Sequence, residues 1–199
     1  MKNRMYIHEK GSLPVGWIFV AGFLAGTLFP NLIWKLEWRQ KTVASLYLLS
    51  AISDKNLEKG AYFMRVLRMR GSAYFIGAFC GVSVFGVPLA LMGALYMGFQ
   101  TGVLMTVSIL QFGLQGGVIG IGAMFPQYLL YFPGFFRMFR LVFQQSSEIW
   151  RNRGLLLPQV SRYVTAVLLC GLCILGGILL ETWCNPPVME VLMKSLKIF

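Results

Sequence analysis

The sequence predicts an all-α fold: a polytopic integral membrane helical bundle of about five transmembrane helices, with amphipathic interfacial helices between them. Three observations predict it. The 199-residue chain is 57% apolar and only 13% charged, with a mean hydropathy of +0.66, whereas soluble domains carry about a quarter charged residues. Residues 71–136 contain no Asp, Glu, Lys, Arg or His, and roughly 20 apolar residues make one crossing, so this stretch holds about three. The basic residues sit just outside the apolar runs, with Arg65, Arg68 and Arg70 before the longest and Arg137 and Arg140 after it. That placement suits lipid phosphates and helix ends, so the formal charge of +11 does not point to nucleic acid.

The chain reads as a single membrane domain, 1–199. Residues 1–11 form a basic head with Lys2, Arg4, Lys10 and the sole histidine, His8. The uncharged run 13–34 is long enough to cross, and it exceeds an ordinary signal-peptide core with no small-x-small cleavage site after it. Residues 35–70 are polar but patterned. Val43, Leu46, Tyr47 and Ser50 recur at helical spacing, as do Tyr62, Val66 and Met69, with Phe63 and Leu67 widening the second stripe. This segment is expected along the interface or against the bundle, with Tyr62, Arg65, Val66, Arg68 and Met69 as a candidate partner surface. The long apolar run divides near 88–93 and 111–117, giving spans 72–91, 93–110 and 114–136, the last full or re-entrant. In the polar segment 137–162, Phe136, Phe139 and Phe143 share a face, so the fourth span continues into the interface as a helix. Arg151 to Gly154 read as a loop. A fifth span, 163–183, is expected to stop at Asn185-Pro186-Pro187.

Five G-x-x-x-G pairs (Gly22–Gly26, Gly77–Gly81, Gly98–Gly102, Gly113–Gly117 and Gly116–Gly120) predict close helix contacts, in a tight bundle or a homo-oligomer. Gln100, Thr101, Thr106, Gln111, Gln115 and Gln127 are expected inside the spans as neutral hydrogen-bonding groups. No ionisable residue lies within a proposed span, since Glu181 stands at the very end of the last. That weighs against a proton-coupled transporter, though a pore lined by carbonyls and amides is left open. Cys170-x-x-Cys173 lies in an apolar run with no histidine or carboxylate near it in sequence, so it reads as packing thiols rather than a redox or metal motif. No catalytic, metal or cofactor constellation is present in the sequence.

The order of the short motifs carries more information. Gly86-Val87-Pro88-Leu89 is followed by the Gly98–Gly102 span, then by Gly113-Leu114-Gln115-Gly116-Gly117. Phe125-Pro126-Gln127-Tyr128-Leu129-Leu130 and Pro133 complete the series. In this order and spacing the chain resembles the stage II sporulation protein M family over almost its whole length. The resemblance implies a non-enzymatic membrane scaffold for engulfment of the forespore, recruiting a peptidoglycan lytic transglycosylase and an amidase to the septum. It also implies a multi-pass protein of the cell membrane with a cytoplasmic amino terminus. Lys and Arg do not decide the orientation, with eight on the inner side of that arrangement and ten on the outer. The carried-over residues (Gly86, Pro88, Gly98, Gly102, Gly113, Gly117, Pro126, Gln127 and Pro133) read as structural. Pro88 and Pro126 are expected to kink spans, and Gln127 to satisfy a freed carbonyl. A small-molecule transporter or channel subunit is the alternative.

Overall fold

The computed structural model describes residues 13–34, 59–152 and 157–195. The head with His8, the pattern at Val43 to Ser50, Arg153 and Gly154 lie outside the described residues. Within them all regular structure is helical. In chain order the helices are α1 (Leu13–Trp34), α2 (Lys59–Cys80), α3 (Gly86–Phe112), α4 (Leu114–Met124), α5 (Tyr128–Asn152) and α6 (Leu157–Leu179). A π-turn (Leu180–Cys184) and α7 (Asn185–Ser195) follow without a gap. Three stretches are long and apolar enough to cross a membrane: Pro14–Leu32, Gly86–Leu110 and Ser161–Met189. A fourth is reached if α4 and α5, bent by 66°, count as one broken span.

The middle of the chain divides differently from expectation. The break falls at 81–85 and not at 88–93, so the predicted spans 72–91 and 93–110 become the end of α2 and one helix of 27 residues, α3. Ser83 explains the position. Its hydroxyl and its backbone N–H both return to the Cys80 carbonyl, at 2.9 and 3.0 Å, which closes a turn in place of the next helical bond. Pro88 lies in the first turn of α3, where no intrahelical donor is needed, so it starts this helix instead of dividing it. Gly93 leaves α3 unbroken, and a Cβ there would come within 2.6 Å of the Phe139 ring.

The next joint is where the glycines place it. Gly113 has φ +64°, a left-handed conformation that costs a glycine little, and it turns the chain from α3 into α4. The span predicted over 114–136 is interrupted at Phe125–Gln127, between α4 and a helix that runs on to Asn152. Arg151 and Asn152 therefore belong to α5 and not to a loop. Asn185-Pro186-Pro187 does not stop the last helix. The wide π-turn ahead of it, in which the Asn185 N–H donates to the Leu180 carbonyl, makes room for two rings that would collide with a normal helical turn.

Contact pairs fix the helix directions. Gly22 packs on the Leu95 carbonyl and Gly26 on that of Phe99, so α1 and α3 run parallel. Tyr163 reaches Ala78, Tyr74 reaches Val167, and Phe63 meets Trp183, so α2 and α6 are antiparallel. Gly93 against Phe139 and Gly86 against Ser146 make α3 and α5 antiparallel. Gly134 against Cys170 and Gly177 against Tyr131 do the same for α5 and α6. The core lies among these five, around Met138, Val142, Ile174, Ile178, Ala90 and Ala94. Trp17, Leu28, Phe79, Leu168, Leu172 and Leu175 point outward, a surface suited to hydrocarbon.

Candidate functional site

The polar interior collects around a carboxylate that sequence spacing places at a helix end. Because α6, the π-turn and α7 are continuous, Glu181 lies inside the stretch Ser161–Met189. Tyr131 of α5 donates its hydroxyl to Glu181 Oε2 at 2.6 Å. Arg70 of α2 brings Nε to 3.6 Å from the same oxygen, an ion pair just beyond hydrogen-bond reach. Its guanidinium also lies over the Tyr131 ring, 5.2 Å from the centroid, where the ring face attracts a cation. The Arg70 and Glu181 side chains are only 23% and 16% exposed. Tyr62, Thr101 and Tyr128 border the cluster. Three helices thus converge on one carboxylate, which arginine, always charged, partly neutralises.

Beside it lies the break between α4 and α5. The last carbonyls of α4 have no helical partners, and side chains supply them. Gln127 donates Nε2 to the Ala123 carbonyl at 2.6 Å. Asn185 spreads its amide over the carbonyls of Gly122, Ala123 and Phe125, at 3.2, 3.3 and 2.9 Å. The π-turn therefore presents a carboxylate to α2 and α5 at its start and hands over to an amide that caps α4 at its end. Gln127 is 4% exposed, and its Oε1 has no hydrogen-bond partner among the described residues.

A third polar joint ties α5 to the start of α3. Ser146, fully buried, donates to the Ser83 carbonyl at 2.6 Å and accepts the Val87 N–H at 3.1 Å. It satisfies one of the orphan donors of α3 from another helix. Gly86 is required alongside it, since a Cβ there would come within 2.5 Å of the Cys80 carbonyl and 2.8 Å of Ser146 Cβ.

The sequence-selected residues separate into three groups. Gly98 and Gly102 face Gly22 and Gly26 within one chain, each lying on backbone of the opposite helix. These two motifs are thus consumed internally and do not serve an oligomer. Gly113 and Gly117 are not such a motif, because Gly113 makes the turn and Gly117 has only an ordinary contact with Ile109 at 3.9 Å. Gly77 and Gly81 receive the side chains of Met138 and Tyr163 rather than a backbone. Pro126 and Gln127 form the break, and Pro133 lies exposed within α5. Of the expected partner surface, Val66 is buried at 6% exposure and Tyr62 packs on the core. Arg65, Arg68 and Met69 are exposed. Gln100 and Gln115, expected as interhelical bonds, are exposed as well, while Thr101 donates to Met97 of its own helix and also bonds Tyr128 of α5, as expected.

Glu181, Arg70, Tyr131, Ser146 and Asn185 escape sequence reasoning. Reading Asn185-Pro186-Pro187 as a stop hides the first and last of these, and Arg70 reads as one of three flanking arginines. The four cysteines are free thiols; Cys170 packs in the core, whereas Cys173, expected to pack beside it, is exposed, as is Cys184. No group of His, Cys, Asp or Glu among the described residues is arranged to hold a metal ion. No family model, curated protein or solved structure matches the chain.

Proposed function

We propose that this chain is a multi-pass scaffold of endospore formation that does no chemistry itself. It would anchor a lytic transglycosylase and an amidase at the septum during engulfment. One observation carries the reading: most of the residues behind the family resemblance, Gly117 and Pro133 excepted, lie at joints or close helix contacts of the bundle. Gly86 seats the start of α3 and Gly98 and Gly102 lie in the α1–α3 contact. Gly113 makes the next turn, and Pro126 and Gln127 form the break. A motif series that encodes joints specifies an architecture, which is what a scaffold has to keep.

The same geometry supports five crossings. Two parallel helices that both cross, α1 and α3, require a return passage between them, and α2 runs antiparallel to α6 and so to α3. With the amino terminus in the cytoplasm, 35–58 and α7 lie on the wall side, where Arg65, Arg68 and Met69 offer the partners an exposed face. Deleting the gene and imaging sporangia tests the role. Stalled engulfment and loss of both enzymes from the septum are expected, and normal engulfment would end the proposal.

A transporter or channel subunit is the second reading, favoured by the broken helix beside a buried ion pair. Solute flux through reconstituted liposomes, abolished by Gln127→Ala, would support it over the scaffold.

A further inference from the structure

We infer that α2 crosses the membrane as a dependent of the last helix, with Glu181 supplying the charge that holds Arg70 inside the bundle. The inference rests on the five-crossing reading and adds how the second passage is kept. Lys59, Arg65, Arg68 and Arg70 give α2 too many charges to count among the stretches apolar enough to cross unaided. Lys59 and Arg65 lie within its first two turns, from where long side chains reach the interface. Arg68 and Arg70 both lie near the middle of the 22 residues, but Arg68 is exposed, whereas Arg70 is turned into the bundle with its side chain only 23% exposed.

Three polar ties of α2 involve α6 or the π-turn that continues it. Tyr163 donates to the Ala78 carbonyl at 2.7 Å, Tyr74 donates to the Val167 carbonyl at 2.9 Å, and Arg70 pairs with Glu181 at 3.6 Å. Glu181 is in turn held by Tyr131, so the carboxylate is anchored from a helix other than α2 as well. The first two ties use backbone carbonyls and do not depend on side-chain charge. Of these three only the last offsets a charge, that of a guanidinium turned into the bundle. Glu181 therefore acts as a topological counter-ion, and α2 is committed only once the carboxyl-terminal helix is in place.

Single cysteines at Ala61 and Phe85, both exposed and at opposite ends of α2, test this in full-length protein carrying C80A, C170A, C173A and C184A. An impermeant thiol reagent is added to intact cells and, separately, after lysis. In the otherwise unchanged chain, A61C is expected to label from outside and F85C only after lysis. Adding E181L should abolish that difference, and R70L/E181L, which removes both charges, should restore it. If E181L keeps the difference, or the double variant fails to restore it, the counter-ion role is overturned while the five crossings stand. If the two cysteines label from the same side without E181L, the crossing and the inference fall together.

Discussion

Ser146 shows how much one hydroxyl can hold where no water competes. It joins α5 to the turn before α3 through a donated and an accepted bond, and replacing it by alanine leaves the Ser83 carbonyl and the Val87 N–H without it. Ser146→Ala should lower the stability of the detergent-solubilised protein by about 1–3 kcal/mol, read from its unfolding curve. Gly98 sets a harder limit. Any side chain there meets the Phe19 carbonyl and the Phe23 nitrogen, and Gly98→Leu should separate α1 from α3. The expected readout is a loss of about 3 kcal/mol or more, together with a cysteine pair placed across the contact that no longer cross-links. Gly98 is legible in sequence, because glycines four apart in an apolar run have a known use. Ser146 is not, since a serine in a helix gives no sign of a partner 59 residues away.

At the level of the helix, α2 is too charged to count among the stretches that could cross a membrane unaided. Six large apolar residues (Phe63, Val66, Leu67, Phe75, Ile76 and Phe79) favour insertion by roughly 3 kcal/mol in total, about what a single central arginine costs, and α2 carries Arg65, Arg68 and Arg70. A counter-charge on Arg70 would therefore weigh on where this helix resides. The broken pair α4 and α5 depends on amides instead. Asn185→Ala removes the side chain shared by three carbonyls of the break and should cost about 1–3 kcal/mol. Faster hydrogen exchange at Phe125, whose N–H bonds Ile121, would locate the loss in α4. A rate equal to the parent protein's would mean that the cap holds nothing. Helix identity was legible for α1 and α5, where an uncharged run and a phenylalanine stripe each have one interpretation. The boundaries of α2, α3 and α6 were not. Pro88 and the Pro186-Pro187 pair act as helix starters in this fold, and sequence spacing alone cannot distinguish a starter from a stopper.

For the molecule as a whole, composition fixes the class and leaves the count open. A long uncharged stretch says that helices cross, but the number follows from direction, and direction is a property of contacts such as Gly22 on Leu95. The five passages proposed above would place the two ends of the bundle on opposite faces. Reporter fusions at the amino terminus and after Ser195 should therefore give opposite activities, and equal ones would require an even number. The charged cluster was illegible for a related reason, since Arg70, Tyr131 and Glu181 come from three helices and each has an ordinary explanation in its own segment. The amide of Asn185 has one more consequence. It closes a break whose residues were synthesised some sixty positions earlier, so a nascent chain keeps an unfinished joint until position 185 has been made. Nonsense mutations shortly ahead of that codon would then be as damaging as early ones, and the shortened products would be cleared by membrane proteases instead of accumulating as active fragments.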